Sequence, residues 1–120
     1  GTPGQVTGLL DALVEAGIGV ERLAVHFHDT YGQALANVLA ALQAGVRTVA
    51  ASAGGLGGCP FAKSSSGNLA TEDLVWMLHG LGIPTGIDLP ALARVSAWMA
   101  GELGRPSASR TVRALTAAPA

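Results

Sequence analysis

Two short apolar runs, "RLAVHFH" at residues 22–28 and "VRTVAAS" at residues 46–52, alternate with stretches of helical periodicity, and this alternation constrains the fold more than any other feature. Ahead of the first run, Thr2 and Pro3 supply an N-cap and a proline at the first helical position. Val6, Leu9, Leu10, Leu13 and Val14 then recur at helical spacing, and Gly17 fits the stop. Between the runs a second amphipathic helix is expected from about Tyr31 to Ala44, with Leu35, Val38, Leu39 and Leu42 on one face and Gly45 ending it. The stretch "AGGLGGCPFAKSSSGN" is too rich in Gly and Ser to be anything but loop. Thr71 and Glu72 open a helix carrying Leu74, Val75, Leu78 and Leu81, closed by Gly80 or Gly82. Asp88 caps a last helix with Pro90 in its first turn and Leu92, Val95 and Met99 inward. Helix, strand, helix, strand, loop, helix is the rhythm of repeated βα units, so an α/β fold with parallel strands is predicted. Residues 1–104 form the folded part in this reading, and residues 105–120 a weakly ordered tail.

Composition narrows the function classes. Of 120 residues, 49% are apolar and 12% charged, which suits a globular protein with a sizeable core and argues against disorder. The seven Lys and Arg are scattered without aromatic partners, so no nucleic-acid partner is expected. No apolar run approaches the ~20 residues of a membrane span, and none is expected. The single Cys59 cannot form an intramolecular disulfide, which points to a reducing compartment, with the cytoplasm expected.

The residues able to carry chemistry cluster after the strand-like runs. In an extended strand His26 and His28 project from one face while Val25 and Phe27 point the other way. A satisfied core histidine beside a loop donor would give the same H-x-H. The pair, however, falls at the carboxyl end of a strand, where βα folds place their sites. Cys59, after four glycines in "GGLGGCP", is open to a structural reading and to a chemical one as an accessible thiol. Asn68 stands just before a helix start, as a turn residue, a cap or a ligand. Thr71, Glu72 and Asp73 have a plain account as a helix N-terminus, where acids are favoured. Asp29 and Thr30 are expected to orient their loop and begin the next helix, and His79 to lie on the surface. Two imidazoles suit many divalent ions and an amide oxygen points to a harder one such as Mg²⁺ or Mn²⁺. The set still lacks a carboxylate, and the nearby acids are poorly placed to supply it.

Three stretches, "HFHDTYGQALANVLAALQAGV", "GGLGGCPFA" and "SGNLATEDLVWMLHGLGI", closely resemble successive segments of the 3-hydroxy-3-methylglutaryl-CoA lyase family of metal-dependent (β/α)₈-barrel lyases. The resemblance is densest from Leu23 to Leu89. The isopropylmalate and homocitrate synthases share the H-x-H-D start and a later Gly-Asn but lack "GLGGCP". The resemblance implies that His26 and His28 bind a divalent metal, Mg²⁺ or Mn²⁺, from the end of the sixth barrel strand. It makes Asn68 a further ligand, Cys59 the active-site cysteine on the loop after the seventh strand, and His26 a participant in proton transfer. The implied substrate is a CoA thioester, cleaved in a retro-Claisen step to acetyl-CoA and acetoacetate, in an enzyme expected to be a homodimer when full length. Ala50 stands where the family usually has an acid, Ser64 and Ser65 replace a usual Gly-Ala, and Phe61 replaces a common Tyr.

A (β/α)₈ barrel needs about 250 residues. The family's first-strand aspartate and arginine have no counterpart here, and the opening "GTPG" resembles the end of the fifth strand. The chain is therefore expected to be the C-terminal half of a TIM barrel plus a C-terminal helix, a fragment inactive in isolation. Two other readings are a Claisen-type acyl transferase of the synthase branch and a non-catalytic half-barrel that serves as an assembly module.

Overall fold

The computed structural model describes residues 1–58 and 67–117. Cys59, Phe61, Ser64 and Ser65 lie outside the described residues. The first helix, α1, spans Pro3–Glu15. The Gln5 carboxamide oxygen accepts from the Thr2 amide at 2.9 Å, satisfying one of the donors a helix start leaves open. Val6 and Leu10 are its buried residues.

A 3₁₀ turn at Val20–Arg22 leads into strand β1, Ala24–His26. Helix α2, Ala34–Gln43, follows, and then strand β2, Thr48–Ala50. The strands pair in parallel, with Ala24, Val25 and His26 opposite Thr48, Val49 and Ala50. Helix α2 begins three residues later than its periodicity suggests. The Asp29 carboxylate captures the Ala34 amide at 3.0 Å, and Gly32 adopts a positive φ, so residues 30–33 form the entry turn.

A 3₁₀ turn at Ala53–Gly55 opens the glycine loop. On its far side, residues 67–70 lie across the carboxyl ends of both strands. His28 bridges Asn68 in antiparallel sense and Ser52 bridges Ala70 in parallel. The Leu69 amide donates to the Phe27 carbonyl at 3.1 Å, and the Ser52 amide donates to the Leu69 carbonyl at 2.9 Å. Helix α3, Thr71–Gly80, starts at once from this crossing. Helix α4, Leu89–Glu102, is capped by the Asp88 side chain, which accepts from the Ala91 amide.

Among the described residues, α1, α2 and α3 pack on one side of the sheet. Val25 is buried with Val6, Leu10, Ala41 and Val46 in one apolar cluster. Ala34, Val38, Leu69 and Leu74 form a second, and Phe27 and Val49 pack against both. On the opposite face Ala24, His26, Thr48 and Ala50 are exposed. The fold is thus α/β with parallel strands, helices covering one face and, among the described residues, the side chains of the other face exposed.

The inward stripes of the helices are narrower than the apolar spacing suggests. Leu9 and Val14, on the helical spacing of α1, Leu39, on the apolar face of α2, and Val95, expected inward, are all exposed, Leu9 at 61%. Small residues, Ala34, Ala41 and Ala93, are nearly or fully buried alongside Leu10, Val38 and Leu74. Small side chains let the backbones approach closely, which leaves larger neighbours on the flanks of the contact.

The expectation of a weakly ordered tail also needs correction, because a fifth helix, α5, spans Arg110–Thr116. Ser109 caps it by accepting from the Val112 amide at 3.1 Å. The Asp73 carboxylate on α3 accepts from the Ser109 hydroxyl at 2.7 Å and from the Thr111 amide at 2.8 Å. With Ser109 and Val112 buried, these bonds offset the entropy of ordering the segment.

Candidate functional site

Alternation along β1 sends Val25 and Phe27 into the helix-covered core and His26 and His28 to the other side. The two imidazole rings meet edge to face, with centroids 5.2 Å apart and planes at 82°. His26 is exposed on the bare face, beside its register partner Ala50. His28 is half-buried, and its Nδ1 is buried with no hydrogen-bond partner among the described residues. A buried ring nitrogen in that state costs about 1–3 kcal/mol unless some ligand engages it.

Asn68 is brought opposite His28 by their bridge. Its side-chain amide donates to the Leu56 carbonyl at 2.9 Å. With the NH₂ end committed to the loop, the carbonyl end remains as the amide's coordinating function. Two imidazoles and an amide oxygen fit the donor set of a divalent cation that takes nitrogen and oxygen ligands. Among the described residues no group of three or more His, Cys, Asp or Glu side chains could hold a metal, so this cluster contributes no carboxylate.

The glycine loop explains how Asn68 is held. Gly57 has φ 90°, and a Cβ there would sit 2.8 Å from Asn68 Nδ2. Gly67 is tighter still, because a Cβ there would run into the carbonyl oxygens of Gly55 and Gly57. Only glycine lets the two backbone segments approach this closely.

Glu72 secures the other end of the loop. Its carboxylate accepts from the Gly54 amide at 3.0 and 2.9 Å and from the Ser96 hydroxyl of α4. The side chain is fully buried. Its place as the second residue of α3 lets the positive end of that helix stabilise the charge. A cavity of about 440 Å³ lies behind the loop, with Gly54, Gly57, Met99, Leu103 and Arg105 in its lining.

The structure therefore brings His26, His28 and Asn68 together at the carboxyl end of β1, while Cys59 lies outside the described residues. Asp29 orients its loop as expected, accepting from the Ala34 amide and pairing with Arg110 at 3.5 Å. Thr30 lies in the entry turn, ahead of the helix. His79 is on the surface, where its Nε2 lies 3.0 Å from the Thr85 hydroxyl. Sequence reasoning missed the clamping role of Glu72 and the Asp73–α5 tie. The one local signal was a buried-type spacing of Glu72 with Val75.

Parallel strands, helices on one face and donors gathered at the strands' carboxyl ends define a segment of a (β/α)₈ barrel bearing part of a rim site. A family model described as HMGL-like matches residues 1–99, and the chain belongs to that family. It is 53% identical over 115 residues to the mitochondrial hydroxymethylglutaryl-CoA lyase of Arabidopsis thaliana, covering 96% of this chain and 24% of that protein. The mitochondrial enzyme of Gallus gallus is 54% identical over 114 residues, covering 95% of this chain and 38% of its own length. The crystal structure of the Bacillus subtilis HMG-CoA lyase superposes with a TM-score of 0.91 at 44% identity, over 98% of this chain and 39% of that one. An HMG-CoA lyase from Acinetobacter baumannii, in complex with coenzyme A and 3-methylmalate, gives 0.87 at 44% identity, over 100% and 40%. The chain thus spans between 24% and 40% of the length of these relatives.

Proposed function

We propose that this chain forms part of a carbon–carbon lyase that cleaves the 3-hydroxy-3-methylglutaryl thioester of coenzyme A to acetyl-CoA and acetoacetate. The observation that carries the reading is the junction of His26, His28 and Asn68 at the end of a parallel strand, in a chain about half identical to lyases of that name. The coenzyme A bound to the Acinetobacter relative supports a CoA thioester as substrate. The activity belongs to an assembled barrel, in which the face bearing His26 is enclosed.

In that barrel His26, His28 and Asn68 hold a divalent cation, Mg²⁺ or Mn²⁺, with a carboxylate from elsewhere completing the set. When bound, the ion supplies Lewis-acid polarisation of the substrate's oxygens. Asn68 presents its carbonyl oxygen because the Leu56 carbonyl occupies its NH₂ group. His26, on the open face, takes part in moving the proton of the tertiary hydroxyl. As that proton leaves, the adjacent carbon–carbon bond breaks, its electrons pass to the acetyl enolate, and the enolate is then protonated. Cys59 is the active-site thiol in this reading.

The test grafts residues 1–120 in place of the matching segment of the Pseudomonas aeruginosa lyase, a 47% identical structural relative. Cleavage of the thioester is expected, with loss of both cleavage and Mn²⁺ binding on His28→Ala. A folded chimaera that condenses acetyl-CoA with a 2-oxo acid and does not cleave would overturn the lyase reading in favour of a synthase.

A further inference from the structure

A second, open cavity of about 310 Å³ lies beside Asn68, bordered by the β1–α2 turn, the crossing segment and α5. Its charged lining is two guanidiniums, Arg110 and Arg113, and two carboxylates, Asp29 and Asp73. Formally these cancel, but their hydrogen-bonding capacities do not.

Both carboxylates are occupied by the fold itself. Asp73 Oδ1 accepts from the Ser109 hydroxyl and the Thr111 amide, and Oδ2 from the Arg110 amide at 3.3 Å. Asp29 Oδ1 accepts from the Ala34 amide, leaving Oδ2 for Arg110 at a long 3.5 Å. The guanidiniums are barely used. Arg110 gives one long contact from a side chain 70% exposed, and Arg113 makes no side-chain hydrogen bond or ion pair among the described residues. Each guanidinium carries five N–H donors in a planar fork suited to paired oxygens. Thr30 borders the same space. What the cavity has left to offer is therefore mostly donor, set against the Asn68 carbonyl oxygen and the lightly used Asp29 Oδ2, next to the residue that faces His28.

We propose that this cavity is an anion subsite, in which Arg110 and Arg113 receive the paired oxygens of a phosphate or carboxylate group carried by the ligand that reaches the rim. The volume lies at the lower end of the ~300–1,000 Å³ of small-molecule pockets, which suits one charged terminus of a ligand better than a whole one. That the group belongs to a CoA thioester rests on the function proposed above. A thioester of a dicarboxylic acid has two sources of such oxygens, the phosphates of its nucleotide end and the free carboxylate of its acyl end.

Binding is tested on the 120-residue chain without added metal, by titrating inorganic phosphate and following backbone amide and arginine side-chain NMR signals. Shifts at Thr30, Gly67, Ala70 and Arg113 are expected, with affinity reduced roughly tenfold or more in R110A,R113A, since charge-assisted forks are the strong contacts of such sites. Circular dichroism of that variant verifies that it stays folded, and R110K,R113K, which keeps the charge without the fork, should recover part of the affinity. Adenosine 3′,5′-bisphosphate and glutarate are then compared as competitors. Displacement by the nucleotide alone assigns the nucleotide end, and displacement by glutarate alone assigns the acyl end. Phosphate shifts that are absent, lie elsewhere, or persist in R110A,R113A would overturn the proposal. Because no metal is added, such a failure is separable from a failure of the His26–His28 reading, which Mn²⁺ binding reports.

Discussion

Replacing Glu72 separates a buried clamp from an ordinary helix-start acid. Truncation to alanine removes the acceptor for the Gly54 amide and the Ser96 hydroxyl in a fully buried setting. Each stranded donor costs about 1–3 kcal/mol. Ser96 can turn its hydroxyl to a carbonyl one turn back along α4, so the Gly54 amide is the donor with no alternative. The void left by the side chain adds to it, and the total comes to about 3–4 kcal/mol. Glu72→Gln keeps the volume and one acceptor oxygen and loses the charge, for about 1–2 kcal/mol. Urea unfolding followed by the fluorescence of Trp76 and Trp98 measures both. With a slope of about 2 kcal/mol per M, the midpoint should fall by about 1.5–2 M for E72A and about 0.5–1 M for E72Q. Glu102, exposed at the end of α4, is the control, with E102A expected within about 0.5 kcal/mol of the parent. If E72A costs no more than E102A, Glu72 is not a clamp, and the account of how the glycine loop is held fails.

Gly67→Ala places a methyl against the carbonyls of Gly55 and Gly57, so it should destabilise by about 3 kcal/mol and shift the Asn68 amide resonances, read by urea melts and NMR. Asp73→Ala frees the Ser109 hydroxyl and the Arg110 and Thr111 amides, so hydrogen exchange across 109–113 should accelerate while that of β1 stays unchanged. The isolated chain should bind Mn²⁺ more weakly than the lyase chimaera and cleave no thioester, since its described residues offer the ion no carboxylate; paramagnetic resonance titration and a thioester assay measure the two. Ser96→Ala leaves Glu72 its two Gly54 contacts, so its cost should be near 1 kcal/mol and less than additive with E72A in the same melts.

The caps, the glycine stops and the parallel strand pair were legible because each is written locally. Thr2 with Pro3, Asp88 before α4 and the alternation of Val25, His26 and Phe27 require no distant partner to be recognised. His26, His28 and Asn68 were legible as candidates, but their junction depends on a bridge across forty residues of chain. Glu72 and Asp73 were read alike as acids at a helix start, although one is buried under the glycine loop and the other is held by α5. Their partners lie 18 to 38 residues away, beyond anything local periodicity reports. Order after Gly104 was missed for the same reason, as Ser109 gains its hold from Asp73, 36 positions earlier. Exposed Leu9 and Val95 mark a further limit, because apolar spacing fixes the side of a helix that turns inward but not how small alanines narrow the contact.

On β1, the packing side chains and the candidate donors occupy opposite faces of the strand. Val25 and Phe27 pack against the helices, while His26 is exposed on the opposite face. The two duties can therefore change independently. On the function proposed above, a substitution at His26 removes a ligand without loosening the scaffold, and a repacked Val25 alters stability without touching the proposed donors. A strand built this way can keep its architecture while its reaction is retuned or lost, and a folded chain alone is no proof that the chemistry survives.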